Sequence, residues 1–199
     1  MTRRFLVRIA AALAMVAVVA ACTTGPRIRT DADPAANFAQ YKTWDWYTPI
    51  AMEQHGYSTW MSDRIKADIE REMGSRGYVR AAPNPDLRVN FQAAVAERTS
   101  VQTIPRTDYA WLWSYRARSY VAVPVWYDQT QVSRYSEGTL TVDLVDARSN
   151  RLVWTGDAIG RVLARDATQR AAQIDQAIGA IFARYPYRAG DGQPLPLPR

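Results

Sequence analysis

The chain contains a single cysteine, Cys22, close to its N-terminus. A disulfide within the chain is therefore impossible, and any domain that follows must be held together by its hydrophobic core alone. Residues 37–187 are long enough to bury such a core. The sequence predicts that this range forms one domain.

The segment before Cys22 has the composition of an export signal. It opens with three basic residues, Arg3, Arg4 and Arg8. The uncharged apolar run that follows, Ile9 to Ala20, is too short to cross a bilayer comfortably. Its end, Val19-Ala20-Ala21-Cys22, resembles the lipobox of bacterial lipoproteins. We expect residues 1–21 to be a signal peptide; the alternatives are a plain secretory signal and an uncleaved anchor.

The lipobox resemblance implies a membrane anchor on Cys22. In a Gram-negative host it implies three acyl chains, and each buried CH₂ contributes about 0.8 kcal/mol, so several chains hold firmly. Thr23 stands where inner-membrane lipoproteins often carry Asp, which implies the periplasmic face of the outer membrane. Without the three signal arginines the formal charge falls from +6 to about +3, weak support for an anionic partner. Nucleic acid is not expected in this compartment.

Gly and Pro are frequent on both sides of the predicted domain. Residues 22–36 include Gly25, Pro26 and Pro34, and they are predicted to form a flexible tether. Residues 188–199 contain further glycines and prolines that cannot continue a helix, and they are predicted to be a disordered tail.

Two segments have the periodicity of amphipathic helices. In the first, apolar residues recur at four-residue steps: Met61, Ile65, Ile69 and Met73. In the second, the apolar stripe consists of Ala171, Ile174, Ile178, Ile181 and Phe182. Ser58 predicts the start of the first helix, and Gly74 or Gly77 its end. Asp166 or Thr168 is predicted to open the second.

Alternating apolar and polar residues predict strands over Phe38–Trp46 and Asp86–Ala96. Gly138–Trp154 is predicted to form a hairpin, with its turn at 146–150. These elements together predict an α+β fold. We expect a two-layer sandwich in which two helices pack on one face of an about four-stranded, mostly antiparallel sheet.

Short motifs occur in a fixed order along the domain. They are Asn37-Phe38, Thr43-Trp44, Gly77-Tyr78, Pro85 to Val89, Glu137 to Asp146, Leu152 to Gly156 and Ile181 to Pro186. This ordered set resembles the bacterial lipoprotein family named domain of unknown function 4136, over nearly all of the chain that follows Cys22. The resemblance implies an envelope address and an α/β fold. It implies no established reaction, so it carries over no catalytic residue.

Residue types that catalysis or metal binding would need are sparse. His55 is the only histidine and lipid would occupy Cys22, so neither a zinc site nor an imidazole-activated nucleophile is expected. Glu137, Asp143 and Asp146 could act as paired carboxylates. Turn and strand positions favour structural roles for Asp143 and Asp146. We expect a protein without cofactor that is not an enzyme, with a carboxylate-dependent hydrolase as the least favoured alternative.

Residues 97–135 lack a fold signal and are predicted to be an aromatic-rich insert. Four aromatic residues fall on alternate positions there: Tyr109, Trp111, Trp113 and Tyr115. In an extended chain all four point to one side, and Arg116 and Arg118 follow. Trp, Tyr and Arg dominate binding hot spots. These six residues are the candidate binding surface. The competing interpretations are that the rings fill the domain's own core, cover its edge, or anchor at lipid headgroups.

The favoured function is a protein-interaction or assembly subunit of an envelope complex. The alternative is a small envelope domain that binds glycan or lipid. A large flat aromatic patch would favour the first function, and a groove lined by Trp and Tyr would favour the second.

Overall fold

A computed structural model describes residues 25–197, so the predicted signal peptide and Cys22 lie outside the described residues. The strands are β1 (Arg27–Ala32), β2 (Thr43–Trp46), β3 (Val79–Arg80), β4 (Leu87–Ser114), β5 (Ser119–Asp146) and β6 (Arg151–Arg161). The helices are α1 (Trp60–Ser75) and α2 (Ala167–Phe182). Two short 3₁₀ helices, Phe38–Gln40 and Ala51–Glu53, complete the described elements.

The strands form one mixed sheet in the order β1-β6-β5-β4-β2-β3. Strand β2 runs parallel to both β3 and β4, and the other neighbours are antiparallel. The expectation of about four mostly antiparallel strands is therefore wrong. The two strands it missed, β1 and β3, are a polar edge strand and a two-residue strand. Neither has an apolar period of its own. Each is a strand only because its backbone pairs with a neighbouring strand.

Both helices pack on one face of the sheet, and the core lies between the two layers. Alternate residues of the central strands are buried there: Leu87, Val89, Phe91, Leu140, Val142 and Leu144. The helices supply Ile65, Ile69, Met73, Ile178, Ile181 and Phe182, each with 1% or less of its surface exposed. Burying a side chain of this size stabilises the fold by roughly 1.5–3 kcal/mol. The predicted helical stripes thus face the sheet.

The helix ends depend on local hydrogen bonds. Thr59, rather than Ser58, caps α1: its Oγ1 accepts from the backbone N–H of Ser62 at 3.1 Å, and Ser62 Oγ accepts from the N–H of Thr59 at 3.0 Å. Gly77 follows α1 with φ of 83°, a left-handed conformation that suits glycine. Asp166 caps α2 by accepting from the N–H of Gln169 at 2.9 Å.

The two ends of the domain are more ordered than their composition indicates. Residues 27–32, predicted to belong to the tether, pair with β6 as β1. The predicted strand 38–46 begins with a 3₁₀ turn and becomes a strand only at Thr43. Within the predicted tail, the Gly190 N–H donates to the Tyr41 carbonyl at 2.8 Å. For residues 27–32 and for Gly190, a contact distant in sequence overrides the local signal.

Residues 97–135 are not a structureless insert. Strands β4 and β5 run through this range as two continuous 28-residue strands, paired from Leu87↔Asp146 to Ser114↔Ser119. Much of this range is polar on both faces, so the apolar–polar alternation that marks a half-buried strand is missing. The signal that remains is a high content of Thr, Val, Tyr and Trp, which favours strand.

Candidate interaction surface

The β4–β5 hairpin continues far beyond the rest of the sheet. Strand β2 pairs with β4 only at 87–89, and β6 pairs with β5 only at 137–146. Eighteen further residue pairs, Glu97↔Ser136 to Ser114↔Ser119, form a two-stranded ribbon that we call the hairpin arm (residues 97–136). At about 3.4 Å per residue the arm is roughly 60 Å long. No described strand pairs with either outer edge of it.

The distal part of the arm, which we call the tip (residues 107–126), has an aromatic face. Residues that pair directly across two antiparallel strands share a face. Tyr109, Trp111 and Trp113 pair with Pro124, Ala122 and Tyr120, and Trp126 pairs with Thr107 on the same face. Trp111 is 67% exposed and Trp113 is 46% exposed. The rings of Trp113 and Tyr120 meet edge to face at 5.3 Å. These rings do not fill the domain's core.

The opposite face of the tip is aliphatic. Leu112 pairs with Val121, Ala110 pairs with Val123, and Val125 follows on the same face. Leu112 is 55% exposed, and Val121 and Val125 are exposed as well. The tip is therefore apolar on both faces. A strand that covers a core on one side is apolar on that face and polar on the other.

The two arginines of the candidate binding surface lie in the turn that closes the arm. Tyr115, Arg116 and Arg118 occupy this turn, and all three side chains are exposed. Arg118 has a φ of 48°, and Ser114 Oγ accepts from the Ala117 N–H at 3.2 Å. The six predicted residues thus come together at one end of the arm. Tyr115 leaves the shared face of the other three aromatic residues, because the strand ends at Ser114.

Several surface residues of the tip were not among the six residues of the candidate binding surface. They are Leu112, Tyr120, Val121 and Trp126. Tyr120 and Trp126 join the aromatic face only through β4–β5 pairing, whose register a single strand does not reveal. The repeated Val and Tyr at residues 120–127 was the available signal for a returning strand.

A polar stalk separates the tip from the domain body. Arg98 Nε lies 3.0 Å from Glu137 Oε1, and Arg106 Nε donates to Gln129 Oε1 at 3.0 Å. Polar residues also face each other across the strands at Ser100↔Ser133, Gln102↔Gln131 and Thr103↔Thr130. None of residues 97–136 is buried. Apolar surface is therefore concentrated at the end of the arm, away from the core.

Each of the three candidate carboxylates forms a hydrogen bond or an ion pair within the fold. Glu137 pairs with Arg98. Burial raises the pKa of Asp143, which accepts a hydrogen bond from Thr155 Oγ1 at 2.7 Å. Asp146 opens the β5–β6 turn and accepts from the Tyr41 hydroxyl at 2.9 Å. Burial acts to raise its pKa, but hydrogen bonds from Ser149, Tyr41 and Arg148 outweigh it and lower the pKa.

One buried carboxylate lies on the helical layer. Asp68 is 1% exposed, and its Oδ1 lies 2.6 Å from Arg71 Nη1. Burial raises its pKa, and the nearby carboxyl of Asp175 acts in the same direction. Arg64 also contacts Asp175, so this network links α1 to α2. Asp68 Oδ2 accepts no hydrogen bond within the described residues, and its nearest cation is Arg64 Nε at 3.8 Å.

Residues 25–197 contain neither a cluster of metal ligands nor a membrane-spanning helix. This part of the chain contains no group of three or more His, Cys, Asp and Glu side chains arranged to hold an ion. None of its helices is long and apolar enough to span a bilayer. His55 is exposed and lies 6.2 Å from the Tyr57 ring.

A family model described as domain of unknown function DUF4136 matches residues 28–187. No curated protein matches the chain. A PDZ domain protein from Parabacteroides distasonis is similar in structure, with a TM-score of 0.47 and 13% identity over 84% of this chain. The chain spans 37% of that protein's length. The PelC dodecamer from Paraburkholderia phytofirmans has a TM-score of 0.37 and 15% identity, covering 78% of this chain and 93% of that one.

Proposed function

For this chain, which belongs to the DUF4136 family of domains of unknown function, we propose a binding role in the cell envelope. The chain acts as a protein-interaction or assembly subunit, and the tip of its hairpin arm is the contact surface. It performs no reaction of its own. The domain body holds the base of the arm, and lipid on Cys22 holds the body to the periplasmic face of the outer membrane.

The observation that supports this proposal is the concentration of exposed apolar residues at the tip. A two-stranded ribbon is marginally stable in water, and an open edge leaves backbone N–H and C=O groups ready to pair with another chain. The tip adds exposed Trp and Tyr on one face and exposed Leu and Val on the other. A partner that covers the tip would remove this surface from water and pair its free edges.

The contact can be tested with a photo-crosslinking amino acid at position 112. Leu112 lies on the aliphatic face of the tip, so its replacement leaves Trp111 and Trp113 intact. In whole cells we expect a discrete adduct from position 112 and none from position 60. Trp60 is a matched control, because it is similarly exposed but lies on α1 of the body.

The double change Trp111→Ala with Trp113→Ala should abolish the adduct from position 112. Both rings are exposed, so the free energy of unfolding should stay within about 0.5 kcal/mol of the parent. Adducts that persist without the two rings would show that the tip is not the contact. A large fall in melting temperature would show that the rings pack on the protein's own body.

The anchor has its own test. Replacing Cys22 with Ala removes the thiol that would carry the lipid, so the chain should lose acylation and no longer partition into detergent with the membranes. Metabolic labelling with an alkyne fatty acid measures the first effect. Label that is retained by Cys22→Ala would exclude this residue as the attachment site.

A further inference from the structure

The outer edge of β4 is open along the arm. Strand β2 leaves it at Val89, whose carbonyl accepts a hydrogen bond from the Tyr47 N–H at 2.8 Å. Pairing between β4 and β5 then continues to Ser114 without a register shift. Every second residue after Val89 therefore turns its backbone N–H and C=O groups toward this edge, where no described strand meets residues 97–113. Such a row of unpaired groups is a template for another strand.

Two prolines make the β4 edge a better template than the β5 edge. Pro105 and Pro124 both occupy positions whose backbone points outward, so each edge lacks one N–H donor. Pro124 interrupts the β5 edge within the tip, whereas residues 107–113 of β4 contain no proline. Toward the body the β5 edge ends at Ser136, whose carbonyl accepts from the Val162 N–H at 2.9 Å. The tip is therefore best extended by a strand that pairs with β4.

One antiparallel register of β4 against β4 of a second copy brings opposite charges together. With a two-fold axis at Thr103, Arg98 of each copy lies opposite Asp108 of the other. Asp108 forms no ion pair with a described residue, and Arg98 is exposed beside Glu137. An axis one residue nearer the body places Arg98 opposite Arg106, and an axis one residue farther away leaves Asp108 opposite an uncharged residue. Opposite charges across a strand pair stabilise it, and like charges destabilise it.

The same register lays two exposed apolar surfaces against each other. Trp111 lies opposite Val95 of the other copy, and Trp113 lies opposite Ala93. Val95 is 67% exposed although it shares a strand face with the buried Phe91. A groove of about 640 Å³ opens there between the sheet and the helices, and no described Trp or Tyr lines it; its apolar lining includes Ala93, Val95, Met52 and Met61. The rings of one tip therefore cover apolar surface that the other copy's own helices leave open.

We propose that the partner of the tip is a second copy of this chain. Two arms pair antiparallel along β4 about a two-fold axis at Thr103, and each tip lies at the base of the other arm. This assignment rests on the proposed function, because it names the partner of the same surface. Pairing joins two two-stranded ribbons, each marginally stable alone, into one four-stranded sheet. The contact is isologous, so it closes at two copies.

The two-fold axis makes one position its own partner, which a single cysteine can test. Thr103→Cys places two thiols across a hydrogen-bonded pair with Cα atoms about 5.5 Å apart, within the roughly 4.4–6.8 Å that a disulfide spans. Mild oxidation of the full-length chain in its native membranes should give a disulfide-linked species of twice the chain's mass. The parent chain, whose only cysteine is Cys22, measures the background.

Thr130→Cys is the matched control for this disulfide. Thr130 pairs with Thr103 within the arm, on the same face and equally exposed. In the paired arms the two copies of residue 130 are three strand spacings apart, about 14 Å, too far for a disulfide. No dimer from Thr103→Cys, or an equal yield from both variants, would overturn the proposal. Adding Trp111→Ala and Trp113→Ala to Thr103→Cys should lower the dimer yield about tenfold.

Charge reversal tests the register. Asp108→Arg, added to Thr103→Cys, opposes like charges at both ends of the contact and should lower the dimer yield about fivefold. Coexpressing that chain with a differently tagged chain that carries Arg98→Asp should restore the yield in the mixed dimer, because opposite charges then meet at both ends. Asp128→Arg, on β5, is the control and should change nothing. Equal yields from all combinations would overturn the proposal.

The photo-crosslink from position 112 separates this proposal from the proposed function. Two differently tagged copies are expressed in the same cells, and the adduct is probed for both tags. An adduct that carries both tags supports pairing between copies. An adduct with a different protein keeps the tip as the contact surface and overturns the pairing of copies. The absence of any adduct overturns both proposals.

Discussion

The two ends of β4 differ in burial although they belong to one continuous strand. At the body end, Val89 and Phe91 alternate with polar residues and are 0% exposed beneath the helices. At the tip, Trp111 and Trp113 lie on the same face of the strand and are largely exposed. Both ends carry large apolar side chains on the same face of the strand. The difference teaches that a periodic apolar face becomes core only where a second layer covers it.

The presence or absence of a second layer over each strand also explains how stability is distributed between the body and the arm. The body couples two helices and six strands around one core, whereas the arm depends on the pairing of two strands and on exposed cross-strand contacts. Local opening should therefore begin at the tip and leave the body folded. Substitutions in the body and in the arm should differ accordingly in their effect on the free energy of unfolding.

The largest difference is expected at Ile69, which is completely buried on α1. Ile69→Asp places a carboxylate among apolar side chains without a partner, so we expect it to cost about 4–5 kcal/mol or more, or to prevent folding. Leu112→Asp, an apolar-to-acidic change on the tip, should shift the melting temperature little. Circular dichroism on heating measures both. Equal melting of Ile69→Asp and the parent would contradict the burial of this helix face.

A smaller effect is expected from a single methyl group at Gly156. A Cβ there would lie 2.6 Å from Ile181 Cγ2 and 2.6 Å from Trp154 Cη2. Gly156→Ala should therefore overpack the contact between β6 and α2 and cost about 2–3 kcal/mol in urea unfolding.

Gly74→Ala is the matched control for that change. It lies within α1 with no atom within 4 Å of an added Cβ, and it should stabilise the protein by about 0.5–1 kcal/mol. If both alanines are tolerated equally, α2 does not pack against β6 as closely as the structure indicates.

Asp146 ties the body end of β5 to Tyr41. Burial raises the pKa of Tyr41 to about 12, so its hydroxyl stays protonated and donates to the Asp146 carboxylate. Hydrogen bonds lower the pKa of Asp146 against the effect of burial. Asp146→Asn should cost about 1–2 kcal/mol at pH 7. Asp128→Asn, on the exposed part of the same strand, should stay within about 0.5 kcal/mol.

The contribution of Asp146 should depend on pH with a defined sign. Because its folded pKa is lowered, the stabilisation is complete above the unfolded pKa of about 3.9 and is lost as pH falls through the folded value. The difference in melting temperature between the parent and Asp146→Asn should therefore shrink below about pH 4. A difference that stays constant from pH 7 to pH 3 would show that the carboxylate charge is not involved.

Elements with a strong local period were predictable. Most residues of the two predicted helical stripes are buried, and Met61, Ala171 and Ile174 are partly buried. The predicted cap of α1 lies one residue before the observed one, and Asp166 caps α2 as predicted. The DUF4136 resemblance was confirmed over residues 28–187. Tyr109, Trp111 and Trp113 could be grouped on one face from the sequence, because their alternation does not depend on what lies opposite them.

Elements that exist only because they pair with another strand were missed, and they share one physical reason. Strand β1 is polar, β3 has two residues, and the stalk of the arm is polar on both faces, so none has an apolar period. Their hydrogen-bond partners lie far away in sequence: β1 at residues 27–32 pairs with β6 at 154–159. A single stretch of sequence carries no record of such a partner.

By itself, the sequence determined the family, the two amphipathic helices and the alternation at the body ends of the central strands, because these depend on local composition and spacing. Only the tertiary structure decided that β4 and β5 extend beyond the rest of the sheet and that the rings of the tip stay exposed. The physical reason is coverage: whether an apolar face is core or surface depends on which other segment packs on it, and that is a property of the whole fold.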